Sequence, residues 1–381
     1  MNNYNNENLY SNIKLIESEN NLYTLEKRLE VMIPLLCNWY EQHKRELPWR
    51  NNPLPYWVWI SEIMLQQTRV EAVKPYFKRF METLPTIKDL AEAEEDVLLK
   101  LWEGLGYYSR VRNIQKTAII CMENYNGELP KTYEQLLELP GIGSYTAGAI
   151  ASIAYKQLVP AVDGNVLRVI TRLTADNSDI TKQSVKTKME KDLKRAMEVV
   201  SPNPSTLNQG LMELGATVCI PNGAPLCNKC PWEGICLARK NDLIGEIPYK
   251  PKKKERKIEK KTVFVVEDNG YTIIRKRESK GLLAGLYELI NVEGHLTVDE
   301  AQSFWEDKLG VPVTIWPLPS AKHIFSHIEW QMIGYKVIVS SSEKKESRIK
   351  EGNHDFLFVT NEQVKDKYSL PTAFKAYSQL L

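Results

Sequence analysis

Residues 136–149 read Leu136-Leu137-Glu138-Leu139-Pro140-Gly141-Ile142-Gly143-Ser144-Tyr145-Thr146-Ala147-Gly148-Ala149. An apolar run stops at a Pro-Gly-x-Gly turn and a second apolar run begins at once. Thr132 and Gln135 stand where a capping box would open the first run as a helix. Gly141 and Gly143 permit positive φ and close backbone approach, so the stretch predicts two helices joined by a tight hairpin. The second helix starts near Tyr145, and its free amides point out of the turn, where they can hold a phosphate. An ordinary helix–helix turn has the same composition, so the neighbouring segments decide.

Downstream, Val159-Pro160-Ala161-Val162-Asp163-Gly164-Asn165-Val166 places an aspartate just before a helix that starts near Asn165. Asp163 reads either as an N-terminal cap or as a carboxylate facing a reaction centre, and its spacing from the hairpin favours the second. Upstream, Trp59-Ile60-Ser61-Glu62-Ile63-Met64-Leu65-Gln66-Gln67-Thr68 places Glu62 at the start of an apolar helix. A first-turn glutamate is favoured by the helix dipole. Apolar surroundings would instead raise its pKa and suit it to acid catalysis near neutral pH. Cys219, Cys227, Cys230 and Cys236 fall within 18 residues, among prolines and glycines. Four such thiols do not pack as core, so they predict a metal site, and spacing alone leaves zinc and an iron–sulfur cluster both open. Cys37 and Cys121 lie in apolar helical contexts and read as packing residues.

The 381 residues are enough for two domains, perhaps three by length alone. No run of 18 uncharged apolar residues predicts a membrane span, and Met1–Tyr10 lacks a secretory pattern. Lys plus Arg is 50 against 48 Asp plus Glu, so the net charge names no partner. Residues 1–28, rich in asparagine, read as a disordered tail. From about Leu25 to Tyr155 the pattern is helical. Leu29, Met32, Ile33, Leu36 and Tyr40 define one helix, and Ile63, Leu65, Val70, Val73, Phe77 and Phe80 a second, interrupted at Pro75. Residues 250–261 carry eight bases and two acids and read as a solvated connector within a linker at 241–261. After it, strand-like runs at 262–266, 271–275, 335–339 and 356–359, with helices at about 297–309 and 372–380, predict a separate α+β domain.

These residues together carry a family resemblance. LPWR (47–50), SEIMLQQT (61–68), GLGYYSR (104–110), LPGIGSYTAGAI (139–150), AVDGNV (161–166) and the cysteine set make residues 29–240 resemble the helix-hairpin-helix DNA glycosylases, and among them the MutY-type adenine glycosylases. The expected architecture is therefore multidomain: an all-α helix-hairpin-helix glycosylase domain with an iron–sulfur cluster loop, then an α+β Nudix-like domain at 262–381. The resemblance implies one [4Fe–4S] cluster on Cys219, Cys227, Cys230 and Cys236, although seven residues separate the first two cysteines where the family has six. It implies Glu62 and Asp163 as catalytic carboxylates oriented by Tyr145 and Asn165, and an adenine pocket at Trp49, Arg50 and Gln209. Gln67 and Tyr107 would be duplex wedges, and Gly141 and Gly143 the DNA-binding hairpin. Tyr145 occupies the position of the lysine that forms an imine in bifunctional relatives, so the implied enzyme is monofunctional.

The last 120 residues resemble a Nudix domain. The box counted back from Gly310 reads Ser303-Phe304-Trp305-Glu306-Asp307-Lys308 and has lost most metal-binding carboxylates, so no Mg²⁺ requirement is expected. Phe325, Ser326 and His327 match the family's 8-oxoguanine-reading loop. The implied partner is duplex DNA holding an A:8-oxoguanine or A:G pair, bound by a monomer in a bacterial cytoplasm at the nucleoid. A glycosylase/lyase for oxidised pyrimidines and a non-catalytic iron–sulfur redox sensor are the alternatives. The first is opposed by Tyr145, and the second predicts dispensable Glu62 and Asp163.

Overall fold

The computed structural model of the protein describes residues 25–251, 255–339, 350–351 and 354–381. The tail expected at 1–28 lies outside the described residues up to position 24, as do 252–254 of the basic run. The described residues form two compact units, 25–91 with 113–251 and 92–112 with 255–381. None of their helices is long and apolar enough to cross a membrane.

The helices of the first half, besides the short turns Pro48–Asn51 and Ile87–Glu92, are α1 (Leu25–His43), α2 (Pro55–Leu65), α3 (Val70–Thr83), α4 (Glu95–Leu101), α5 (Ser109–Asn124), α6 (Tyr133–Leu137), α7 (Ser144–Ile153), α8 (Gly164–Thr174), α9 (Gln183–Val200) and α10 (Pro204–Thr217). The 3–4 spacing of Leu29, Met32, Ile33, Leu36 and Tyr40 puts all five on the buried side of α1. That side packs on α9 and α10, and α10 in turn on α7 and α8. Cys121 is fully buried, and Cys37 is partly buried against this core. The helix expected to run from Ile63 through Phe80 is two helices, and the break is not at Pro75. Pro75 sits inside α3. The chain breaks at 66–69, where Gln67 is left-handed with φ 60°.

Segment 92–112 carries helical sequence but packs in the second unit. Leu98, Leu99 and Leu101 of α4 are buried. The Ser369 hydroxyl donates to the Leu99 carbonyl at 2.8 Å, and the Leu370 amide to Glu103 Oε1 at 2.9 Å. The rest of this unit is built on strands β1 (Lys257–Asp268), β2 (Tyr271–Lys276), β3 (Tyr287–Leu289), β4 (Asn291–Glu293), β5 (Val313–Ile324), β6 (Ile328–Val339), β7 (Lys350–Glu351) and β8 (His354–Thr360). Their order is β5-β6-β1-β2-β8-β7, with β3 on β2 and β4 on β1. The β1–β6 pair is parallel and its neighbours antiparallel, so the sheet is mixed. Helix α11 (Val298–Leu309) packs Ala301 and Trp305 against Phe264 and Val266, while Phe374 and Tyr377 join Val263 and Val265 in a separate core cluster. Lys257–Lys261, the end of the basic run, is already strand. Strand β5 was not legible because Pro317 and Pro319 argue against a ladder; it is an edge strand with a register shift between Leu318 and Ala321, where prolines are tolerated.

Candidate active site

Glu62 lies in the last turns of α2, not its first, so the helix dipole does not account for it. It is 5% exposed, and the Tyr145 hydroxyl donates to its Oε2 at 2.5 Å. Burial pushes the carboxyl up to about 7; the Tyr145 bond and the Arg50 charge oppose this, and the Asp163 charge adds to it. Tyr145, in the first turn of α7, is itself held protonated by burial and by the charges of Glu62 and Asp163. Glu62 thus keeps a substantial protonated fraction near pH 7, where an ordinary carboxyl is fully ionised.

Asp163 is the N-terminal cap of α8 and also lines the cavity. Its Oδ1 caps α8, accepting from the amides of Asn165 at 2.9 Å and Val166 at 2.8 Å. Its Oδ2 accepts from the Asn165 side chain at 2.8 Å. Asn165 is fixed in turn, because its Oδ1 accepts from Arg168 Nη2 at 2.9 Å. Three donors stabilise the charged carboxylate, whereas Glu62 receives one. The two carboxyls therefore differ in setting: Asp163 is tied down by three hydrogen bonds and Glu62 by one.

Glu62, Tyr145, Asp163 and Asn165 line one cavity of about 1050 Å³, together with Trp49, Arg50, Gln209, Gln67 and Gly143. Trp49 is buried edge-on against Phe77 at 5.3 Å. Gln209 donates to Ser205 Oγ at 3.0 Å. Gly141 stays out of the cavity lining; it turns the hairpin at φ 77°, where an added Cβ would meet Asn113 at 2.8 Å. Sequence reasoning missed Glu213, Arg45 and Lys186. Glu213 is 1% exposed and pairs with Arg45 at 2.6 Å and Arg50 at 2.8 Å. Burial raises its pKa, but the two arginines outweigh this and hold it below the usual range. Its signal was a lone acid in the apolar string Leu211-Met212-Glu213-Leu214. Lys186 reaches the cavity from α9 and donates to Ser144 Oγ at 2.9 Å.

Cys219, Cys230 and Cys236 pack against the core of the same unit. Burial pushes the Cys230 thiol up to about 12, and the charges of Cys219, Cys236 and Cys227 add to it, so the sulfurs share one neighbourhood. Arg172 donates to Cys219 Sγ at 3.4 Å and to the Ile220 carbonyl at 3.0 Å. Among the described residues no three His, Cys, Asp or Glu side chains close around a point as a single ion requires. A tetrahedral zinc would draw its thiolates to within about 4 Å of one another. A polynuclear cluster gives each thiolate its own iron, and four cysteines can supply the donors for either group.

In the second unit, Phe325, Ser326 and His327 form the tip of the β5–β6 hairpin. The Phe325 amide donates to the Ile328 carbonyl at 2.8 Å, and its ring packs edge-on against Trp330 at 4.9 Å. Ser326 and His327 are exposed and 3.1 Å apart at Oγ and Nδ1. These three residues and Tyr107 line a cavity of about 380 Å³. In α11, Phe304 and Trp305 pack on Phe264, and Glu306 Oε1 accepts from Gln302 at 2.9 Å. The old box is thus occupied by core packing.

Comparison with known proteins matches one family to each half of the chain, and the first match includes residues 92–112, which pack in the second unit. Residues 60–195 match the family of HhH-GPD superfamily base excision DNA repair proteins, and residues 262–380 match the NUDIX domain. The adenine DNA glycosylase of Rattus norvegicus is 36% identical over 357 residues, covering 77% of this chain and 68% of the relative. That of Buchnera aphidicola subsp. Schizaphis graminum is 36% identical over 316 residues, covering 81% and 88%. Among solved structures, a thermostable thymine-DNA glycosylase superposes with a TM-score of 0.50 at 24% identity, covering 56% of this chain and 98% of that one, a likeness of fold. The chain belongs to the MutY-type adenine DNA glycosylases, N-glycosylase hydrolases of base excision repair that act on DNA and join a helical HhH-GPD domain to a Nudix-like domain.

Proposed function

We propose that the protein removes adenine mispaired with 8-oxoguanine, or with guanine, and that Glu62 and Asp163 carry the chemistry. One observation carries the reading: a buried, neutral-leaning Glu62 and a triply hydrogen-bonded Asp163 face the same cavity. A base inside a duplex is out of reach, so adenine is first extruded into that cavity. Glu62 donates its proton to adenine N7. The C1′–N9 bond then breaks and its electron pair leaves with neutral adenine. The sugar becomes oxocarbenium-like, as in glycoside hydrolysis, and the Asp163 carboxylate faces its positive charge. Glu62, now ionised, takes a proton from water as the oxygen adds to C1′, and the product is an abasic site. Tyr145 steers the Glu62 carboxyl and Asn165 the Asp163 carboxylate. Trp49, Arg50 and Gln209 contact the extruded base, with Arg50 held in place by Glu213.

Gly141 and Gly143 let the hairpin backbone approach a phosphate. Gln67 and Tyr107 enter the duplex beside the lesion, and Phe325, Ser326 and His327 read the 8-oxoguanine. Both wedges have left-handed backbones, φ 60° and 47°, and such strain in non-glycine residues gathers at functional sites. Cys219, Cys227, Cys230 and Cys236 would hold one [4Fe–4S] cluster, which when bound cross-links residues 219–236; no step of base removal passes through it. The box in α11 takes no Mg²⁺. In this reading 29–240, apart from 92–112, is the catalytic domain, the connector after 240 ends where β1 begins at Lys257, and the sheet-bearing unit is the reader, acting as a monomer on the DNA of a bacterial cytoplasm. The test is incubation with a duplex holding one A:8-oxoguanine pair, followed by alkaline cleavage. Strand scission at the adenine is expected. An intact strand, or cleavage without alkali, overturns the assignment.

A further inference from the structure

Tyr107 stands on a loop that is left-handed at three of four positions: Gly104 (φ 100°), Gly106 (φ 69°) and Tyr107 itself (φ 47°). Glycine adopts that conformation freely, but a tyrosine there needs to be held. The holding groups lie under the loop. Arg110 Nη2 donates to the Leu105 carbonyl at 3.0 Å and to the Gly106 carbonyl at 3.1 Å. Trp102 Nε1 donates to the same Gly106 carbonyl at 3.1 Å. The Arg110 guanidinium lies 5.3 Å from the Trp102 ring centre and 5.7 Å from that of Tyr107, within cation–π range of both. One side chain thus ties the loop backbone and the Tyr107 ring to a fully buried tryptophan. The Tyr107 ring remains 50% exposed, available to whatever enters from solvent.

We infer that Arg110 is a positioning residue for duplex entry: it sets the backbone and ring of Tyr107 in their inserting shape before DNA arrives. This rests on Tyr107 being a wedge. A ring already immobilised loses little freedom on insertion, which is what preorganisation contributes to binding. A planar fork is required, because one nitrogen must reach two carbonyls while the face meets two rings. Lysine keeps the charge and loses that geometry.

Extrusion is read directly with 2-aminopurine in place of the adenine opposite 8-oxoguanine, in a Glu62→Gln background so that the base stays attached. Tyr107→Ala, Arg110→Lys and the double variant are compared, with melting temperatures alongside. Tyr107→Ala should lower the extrusion equilibrium about tenfold. Arg110→Lys should reproduce that loss without a matching fall in melting temperature, and the double variant should lose no more than either single change, since the two residues act through one element. Normal extrusion in Arg110→Lys beside an impaired Tyr107→Ala overturns the inference alone, as do multiplicative losses in the double variant. Normal extrusion in Tyr107→Ala overturns the wedge reading and the inference with it. Should Arg110→Lys fail to fold, Arg110→Gln, which can keep one carbonyl bond, should show a smaller loss, and no loss there counts against the proposal.

Discussion

In the proposed chemistry Glu62 gives up a proton, and its burial beside Tyr145 is what lets it hold one near neutral pH. With Glu62 at about 7, its acid form disappears as pH rises. The excision rate constant kcat/KM should therefore fall about tenfold per unit above roughly pH 7, a decline that a pH–rate profile measures. Glu62→Gln keeps the shape and removes the proton, so single-turnover excision should drop by about 10³-fold or more while DNA binding survives. The same substitution tests stability. A carboxyl whose pKa is raised on folding contributes stability fully present below its unfolded pKa and lost as pH rises through the folded one. From 4.5 to about 7 that loss is on the order of 3 kcal/mol. Glu62→Gln should thus melt above the parent at pH 8, with the gap closing toward pH 4.5. Asp163→Asn should cut excision to a similar degree without unfolding α8, because asparagine caps a helix as well as aspartate does. Near-normal excision by either variant would remove that residue from the chemistry. Neither local environment was fully visible in the sequence: Glu62 was placed at a helix start because Trp57 and Trp59 suggested an entry, whereas Pro55 begins the helix. Glu213 left a trace as a lone acid in an apolar string, but its pairing was not readable because Arg45 and Arg50 lie more than 160 positions away.

Among the elements, the hairpin between α6 and α7 separates two uses of glycine. Gly143 has an ordinary extended backbone, φ −89° and ψ 178°, and open space where a Cβ would go. Gly148 faces the opposite way, with the Pro160 carbonyl oxygen 2.3 Å from such a Cβ. Gly143→Ala should leave stability within about 1 kcal/mol and still weaken duplex binding, since the methyl holds a phosphate away from the amides. Gly148→Ala should cost on the order of 3 kcal/mol or more, because neither backbone can yield. Melting curves and binding titrations on both proteins check the contrast, and a Gly143→Ala protein with unchanged affinity would detach the hairpin from DNA. The cysteine loop offers a second check: anaerobically purified protein should be brown and carry iron, and stoichiometric zinc without iron would refute the cluster. Elements with a simple repeat were legible from sequence, as α1 shows, because burial on one face imposes the spacing. Those shaped by one special residue were not. The break after α2 depends on a left-handed Gln67, and β5 on an edge that tolerates prolines, and neither leaves a periodic trace.

At the scale of the molecule, the modular plan was legible because patterning changes from helical to alternating after the cysteines, but the membership of residues 92–112 was not. Their apolar spacing is that of any helical segment; only the packing of Leu98 and Leu99, and the bonds to Ser369 and Leu370, tie them to the sheet-bearing unit. Tyr107 consequently belongs to the same unit as Phe325, Ser326 and His327, and lines one cavity with them. In the proposed reaction adenine is the undamaged base, so selectivity would have to come from the base opposite it. 8-Oxoguanine differs from guanine at the C8 oxygen and the N7 hydrogen, groups that a hydroxyl and an imidazole can test. A mismatch that leaves such groups unpaired costs roughly 1–3 kcal/mol each. Changing Phe325, Ser326 and His327 together to alanine should narrow the preference for A:8-oxoguanine over A:G by about tenfold or more, with A:G turnover changed less and the melting temperature little altered. Truncation near Lys261 should narrow it as well, and should also lower the melting temperature of what remains, because Leu98, Leu99 and Glu103 lose their partners. Kinetics on both duplexes decide the matter: an unchanged ratio in the triple variant would place lesion reading elsewhere, with Gln67 and Tyr107 the next residues to change.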